Sequence, residues 1–304
     1  MTMETKYHNP VLLHETVDGL NIKPDGVYVD VTFGGGGHSR EILNRLGPNG
    51  KLFGFDQDEA AKANVLDDAR FVLIPENFRH IKRFLRVYGV RQVDGVLADL
   101  GVSSHQFDEA DRGFSTRFMG VLDMRMNQQQ TLDAKQVLNH YEEKTLKSLF
   151  VRYAELKNGG LFAYHIVQAR QLKPIETSEE LREIVGQFIP GHKTNKVLAQ
   201  LFQAIRIEVN DELAVLEEFL QQMTELIKPG GRLSVIAYHS LEDRLVKRFM
   251  RNGLFEGEPE RDLYGRFDVP FNAVGKLIVP SAQEIETNNR ARSAKLRIAE
   301  RTET

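Results

Sequence analysis

The sequence predicts an α/β protein, with one largely parallel sheet built from both ends of the chain and an all-helical insertion in between. Three observations predict it. Short apolar runs alternate with helix-like segments as far as Leu100, strand signals vanish from about Asp108 to Glu208, and a buried-strand signal returns at Arg232 and again near the carboxyl terminus.

The runs "GVYVDVTF" (Gly26 to Phe33), "KLFGFD" (Lys51 to Asp56), "RFVLIP" (Arg70 to Pro75) and "VDGVLADL" (Val93 to Leu100) are apolar enough to be strands covered on both faces, as crossover helices require. In the insertion, Leu146, Leu149, Phe150 and Tyr153 recur at helical spacing. So do Leu181, Ile184, Val185 and Phe188, and Leu198, Leu201, Phe202 and Ile205. Thr177 followed by Glu180 reads as a capping box. Asn210 is expected to cap a helix with Asp211 and Glu212 in its first turn. Its apolar stripe is Leu213, Leu216, Phe219, Leu220, Met223 and Ile227, and it stops at "KPGGR". "RLSVIAYH" (Arg232 to His239) is a fifth buried strand, and "SAKLRIAE" alternates Ala294, Leu296 and Ile298 with Lys295 and Arg297 as a half-buried strand does. The expected domains are therefore 1–107 with 209–304, and 108–208. "GEPERDLYGRFDVPFN" is the least ordered-looking segment.

With 304 residues and 41% hydrophobic content the chain can bury a full core. The start, "MTMETKYHNP", has no apolar leader and no stretch approaches the roughly 20 apolar residues of a membrane span, so the expected location is cytoplasmic. Absence of cysteine excludes disulfides and thiolate metal sites. A net charge of −3 argues against nonspecific nucleic-acid binding but not against a local basic face.

Parallel sheets bind ligands at the carboxyl ends of their strands, where Gly34 to Gly37 lie. A loop without side chains lets a ligand approach the backbone, and the helix starting near His38 offers N–H groups to an anionic part of it. Asp56 ends the second strand about 20 residues on, where a carboxylate accepts from ribose hydroxyls. The plain alternative is a glycine turn packing helix on strand, with Asp56 a solvated strand end. Two cofactor classes fit, a dinucleotide or S-adenosylmethionine. The third glycine of a dinucleotide fingerprint would fall at Ser39, so the pattern leans to the second.

"LADLGVSSHQFD" (Leu97 to Asp108) ends the fourth strand. A nucleobase amine is a poor nucleophile because its lone pair is delocalised; an acceptor that holds the amine protons, for which Asp99 is placed, restores it and aligns it. Read plainly, Asp99 caps the following turn.

The motifs "HNPVLL", "TFGGGGHS", "DLGVSSHQFD", "RGFS", "LDMRM", "FQAIRI", "VNDEL", "HSLEDR" and "RARSAKLR" run in that order from His8 to Arg297. In this the chain resembles the MraW-type S-adenosylmethionine-dependent methyltransferases, which methylate the N4 amine of a cytosine in the decoding region of small-subunit (16S) ribosomal RNA. The resemblance implies a class I, Rossmann-like methyltransferase sheet with an inserted helical substrate-recognition domain. It implies a cofactor held by Gly36, Gly37, His38, Asp56, Phe78, Asp99 and Gln106, and ribosomal RNA, within an assembled or nearly assembled subunit, as the partner. It leaves a homodimer open. The chain departs from the family's usual pattern at Gly35 (arginine), His105 (proline) and "GGLFAYHIVQAR" (Gly159 to Arg170), where an arginine-rich helix is expected.

Asp99 is the expected amine-orienting group; His239 and Ser240 are next, and strand alternation keeps both from facing the pocket. His239 is equally readable as a core or turn histidine. Phe107, Phe114 and Tyr238 are candidate platforms for an unstacked base, each also readable as core. Asp123 and Arg125 form a candidate structural ion pair, and Arg170, Lys173, Lys193, Lys196 and Arg206 candidate phosphate contacts. No pattern suggests a metal, and methyl transfer needs none. Two rival readings remain: a NAD-dependent oxidoreductase on the same sheet, and an RNA-binding assembly factor with a relic cofactor site.

Overall fold

The computed structural model describes residues 10–116, 119–260, 264 and 268–303. His8 and Asn9 of "HNPVLL", with the rest of residues 1–9, and part of the 257–272 loop lie outside the described residues. The chain forms two compact units, one running to Gly101 and resuming at Ala214, the other spanning Val102–Leu213.

In the first unit, strands β1 (Val27–Asp30), β2 (Lys51–Phe55), β3 (Phe71–Ile74), β4 (Val93–Asp99), β5 (Ile227–Ala237), β6 (Phe271–Ala273) and β7 (Lys295–Arg301) make one sheet in the order β3-β2-β1-β4-β5-β7-β6. The first five are parallel, and β7 is antiparallel to both neighbours. Helices α1 (Leu13–Gly19), α2 (Gly37–Arg45) and α3 (Ile81–Val87) belong to this unit. The apolar runs place buried residues on both faces: Val29, Phe53, Val96 and Val235 in one cluster, Tyr28, Leu52 and Leu97 in another.

The second unit holds α4 (Ser104–Asp108), α5 (Ala134–His140), α6 (Glu143–Arg152), α7 (Gly159–Leu172), α8 (Ser178–Gly186) and α9 (Thr194–Asn210) around one core. The periodic stripes supply it: Leu146, Leu149, Phe150, Leu181, Val185, Leu198, Leu201, Phe202 and Ile205 are buried. Thr177 and Glu180 make the expected reciprocal capping box at α8.

The structure adds to the expected outline at four points. The compact units divide at 101/102 and 213/214, a few residues outside the expected cuts at 107/108 and 208/209. Asn210 caps no following helix: it ends α9, Asp211 takes a left-handed turn (φ 52°), and α10 (Glu212–Leu226) begins after it. β5 starts directly after α10 and takes in "KPGGR" through an irregularity opposite Val93 and Gly95, pinned where Lys228 Nζ meets Asp94 Oδ2 at 2.7 Å. Last, the segment read as least ordered, of which residues 261–263 and 265–267 lie outside the described residues, runs into β6, whose Phe271 is fully buried. The remaining helices of this unit are α11 (Ser240–Asn252) and α12 (Ala282–Thr287).

Candidate active site

The carboxyl ends of adjacent parallel strands gather three carboxyl groups: Asp30 ends β1, Asp56 follows β2 and Asp99 ends β4. Asp30 is buried; Ser39 donates to its Oδ2 at 2.7 Å and the Thr32 amide to Oδ1 at 3.1 Å. Asp56 accepts from the Gly34 amide and the Asp58 amide, each at 2.8 Å. Burial pushes its carboxyl up to about 6, against the pull of those two amides, with Asp58 and Asp30 adding repulsion.

Asp99 is the best-furnished of the three. Its amide donates to Thr32 Oγ1 at 2.7 Å, and its Oδ1 accepts from the Tyr238 hydroxyl at 2.7 Å. Its Oδ2 faces His38 Nδ1 at 3.9 Å. The other ring nitrogen, Nε2, lies 3.1 Å from the Val11 carbonyl, which can only accept, so Nε2 carries a proton and donates it there. Burial raises the Asp99 carboxyl to about 6 although His38 and Tyr238 pull it down. Its side chain is still 23% exposed, so a ligand can reach it.

The glycine loop is shaped partly by the protein's own packing. Gly34 and Gly36 have φ of 49° and 74°, and Gly36 caps α2. A Cβ on Gly36 would lie 2.9 Å from the Phe33 ring, and one on Gly37 2.1 Å from Pro10 Cγ. Those two glycines are therefore required by their neighbours, whatever the loop binds. Phe78 opens the turn after β3 and packs edge-on against Phe219, centroids 5.2 Å apart.

His239, expected either to meet the base or to serve as a core or turn histidine, takes a capping place. β5 ends at Ala237, so strand alternation does not govern His239 and Ser240; His239 caps α11, its Nδ1 accepting from the Glu242 amide at 3.4 Å and its Nε2 lying 3.1 Å from Glu242 Oε1. The group that reaches Asp99 is its neighbour Tyr238. No sequence pattern could reveal this pair, since it joins positions 139 residues apart.

In the helical unit, Gln106 is buried and closes a capping box with Ser103. Phe114 is core, with Arg112 over its ring, and Phe107 packs partly buried against the same core. Arg125 grips Asp123 through two bonds of 2.9 and 2.7 Å, as the spacing suggested. Three expected phosphate contacts have internal partners: Arg170 donates to the Leu138 carbonyl, Lys173 pairs with Glu180, and Arg206 holds Glu212 through two 2.8 Å bonds. Lys193 and Lys196 are exposed at a cavity of about 390 Å³ lined by Phe162, Phe188 and Val197.

The site suits a cation with ribose hydroxyls. Buried, raised carboxyl groups are relieved by a positive ligand and would repel a pyrophosphate. A match to the MraW methylase family covers residues 5–302. The chain belongs to that family. Three proteins named ribosomal RNA small subunit methyltransferase H are similar to it: one from Flavobacterium johnsoniae, 66% identical over 99% of this chain and 100% of the relative; one from Christiangramia forsetii, 64% identical over 98% and 99%; and one from Bacteroides thetaiotaomicron, 55% identical over 98% of each. Like other members of the methylase family, the chain is a methyltransferase, with S-adenosylmethionine as cofactor. Gly36, Gly37, His38, Asp56, Phe78 and Asp99, which the family's motifs single out, are all in the sheet unit, and Gln106 is in the helical unit.

Proposed function

We propose that this protein transfers a methyl group from S-adenosylmethionine to the N4 amine of a cytosine in the decoding region of small-subunit ribosomal RNA. Its substrate is the RNA of an assembled or nearly assembled subunit, and it acts in the cytoplasm. Among the described residues no helix is long and apolar enough to cross a membrane. The observation that carries the reading is the placement of Asp99: one carboxylate oxygen is fixed by Tyr238, the other lies 3.9 Å from His38 Nδ1, and the side chain remains 23% exposed.

When bound, S-adenosylmethionine supplies an electrophilic methyl group. Gly36, Gly37, His38, Asp56 and Phe78 hold the cofactor, the half-buried Asp56 carboxylate taking the ribose hydroxyls. Asp99 Oδ2 accepts an amine hydrogen, draws the nitrogen's lone pair back from the ring and takes up the proton lost on alkylation. A carboxyl group titrating near 6 is ionised at pH 7 to 8 yet more basic than an ordinary carboxylate. Tyr238 and His38 position it.

The oxidoreductase reading is disfavoured, because a dinucleotide's pyrophosphate would sit among Asp30, Asp56 and Asp99. Mass analysis of small-subunit RNA from cells lacking the gene tests the proposal. Loss of N4-methylation at one cytosine is expected; an unchanged pattern refutes it. Complementation with Asp99→Ala addresses the assembly-factor reading, which predicts full restoration of cellular role without the methyl group.

A further inference from the structure

Helix α11 carries Arg244, Lys247, Arg248 and Arg251 at i, i+3, i+4 and i+7, one continuous face of cations about 10 Å long. The opposite face is apolar and buried through Leu241, Val246, Phe249 and Met250. Arg244, Lys247 and Arg251 are exposed; Arg248 is half-buried and gives one N–H to the Gly257 carbonyl at 2.8 Å. The acidic residues of the helix have partners of their own. Glu242 is buried in the cap with His239, and Asp243 is taken by Arg297 Nε at 2.7 Å and Lys295 Nζ at 3.2 Å. Burial alone would raise the Asp243 carboxyl, but these two cations hold it below the ordinary value, so it stays ionised and paired. Two further cations thus lie against the first turn of the same helix.

In a protein of net charge −3, four cations on one helix face make a local basic stripe. We propose that this face of α11 is a rail for the phosphate backbone of the substrate RNA. The proposal rests on the function argued above, and three things favour it. The stripe spans the reach of about three successive phosphates. Of five cations in the helical unit expected to meet phosphate, Arg170, Lys173 and Arg206 are bonded within that unit, whereas Lys247 and Arg251 of α11 stand exposed. Finally, α11 begins three residues after β5 ends, at the same end of the sheet as Asp99, so RNA held along it is led towards the reacting carboxylate.

The test is the salt dependence of binding to small-subunit RNA, naked and in the assembled subunit. The triple variant Arg244→Gln/Lys247→Gln/Arg251→Gln is expected to bind both at least about tenfold more weakly near 0.1 M salt, and to lower the slope of log K against log salt by about 2 to 3. The corresponding variant with lysine at 244 and 251 should keep the wild-type slope, and cofactor affinity by calorimetry should not move. Should the triple variant melt early, Lys247→Gln and Arg251→Gln singly should each reduce the slope by about 1. An unchanged slope overturns the rail. So does weaker binding to the assembled subunit with naked RNA unaffected, which would make the stripe a dock for an acidic ribosomal protein. Wild-type protein that binds this RNA yet methylates nothing refutes the proposed function, while the slope comparison still judges the rail.

Discussion

The Tyr238 hydroxyl donates to Asp99 Oδ1 at 2.7 Å, tying the residue just beyond β5 to the last residue of β4. The bond favours the ionised carboxylate and offsets part of the rise that burial imposes. Tyr238→Phe removes the donor without changing the ring. The Asp99 carboxyl should then titrate higher, so the acid limb of the kcat–pH profile should move up by about one pH unit. At pH 8, where the group is ionised in both, a loss of about tenfold reports the lost orientation. An identical profile in the two proteins would show that the pair has no part in turnover.

Asp99 should also cost the cofactor-free protein stability. Its carboxyl titrates near 6 when folded and near 4 when unfolded, so the native state binds the proton more tightly. The stabilisation this gives is complete below about pH 4 and lost as pH rises through 6. Asp99→Asn keeps an acceptor for Tyr238 and carries no charge. After allowing for the exposed part of the side chain, it should be more stable than wild type by about 1 to 2 kcal/mol at pH 7.5, with the difference vanishing near pH 4. Its methyl transfer should fall at least about 100-fold. Paired thermal melts at the two pH values decide this, and a destabilised variant at pH 7.5 would contradict the argument.

The parts legible in the sequence are those that repeat. Both-face burial in β1 to β5 writes itself as apolar runs, and the core stripes of α6, α8 and α9 as a 3.6-residue period. β6 was hidden because three residues behind Pro270 carry no period, and they become a strand only by pairing with β7. Asp56 and Asp99 were legible because strand ends are where a parallel sheet binds ligands. The partners that set their chemistry were not: Tyr238, Thr32 and Val11 reach His38 or Asp99 through single hydrogen bonds across the chain, which leave no local signature. His239 stays two-sided in the sequence, since a histidine at a strand end reads alike whether it caps a helix or meets a base.

The glycine loop makes a prediction that separates folding from binding. Alanine at Gly36 meets a φ of 74° and the Phe33 ring, and alanine at Gly37 meets Pro10. Each should cost about 1 to 3 kcal/mol and weaken cofactor binding about tenfold or more, because α2 must shift. Gly35 has no positive φ, so Gly35→Ala should leave the melting temperature within about a degree or so. Calorimetry with S-adenosylmethionine alongside the melts reads both effects. Full stability for Gly37→Ala would mean that Pro10 does not pack against the loop.

Asn210 gives the sharpest test of the helical unit. Its Oδ1 accepts from the Met126 amide at 2.7 Å, and its Nδ2 donates to the Met124 carbonyl at 2.7 Å and the Arg206 carbonyl at 2.9 Å. The side chain is buried, so it locks the "LDMRM" loop, with Met124 in a left-handed conformation, to the end of α9. Asn210→Ala leaves a donor and an acceptor unpaired and should cost about 2 to 3 kcal/mol at every pH. Asn210→Asp keeps the acceptor for Met126 but turns a charged oxygen on two carbonyls, so it should be at least as damaging at pH 7. Its folded-state carboxyl is raised, because only the protonated form can donate to Met124 or Arg206; the missing stability should therefore return as pH falls through that raised value. Denaturant titrations of the two variants at pH 7 and pH 4.5 check this. Recovery of the aspartate variant alone identifies the donated bond as the lock, whereas equal loss in both at both pH values would assign the cost to packing.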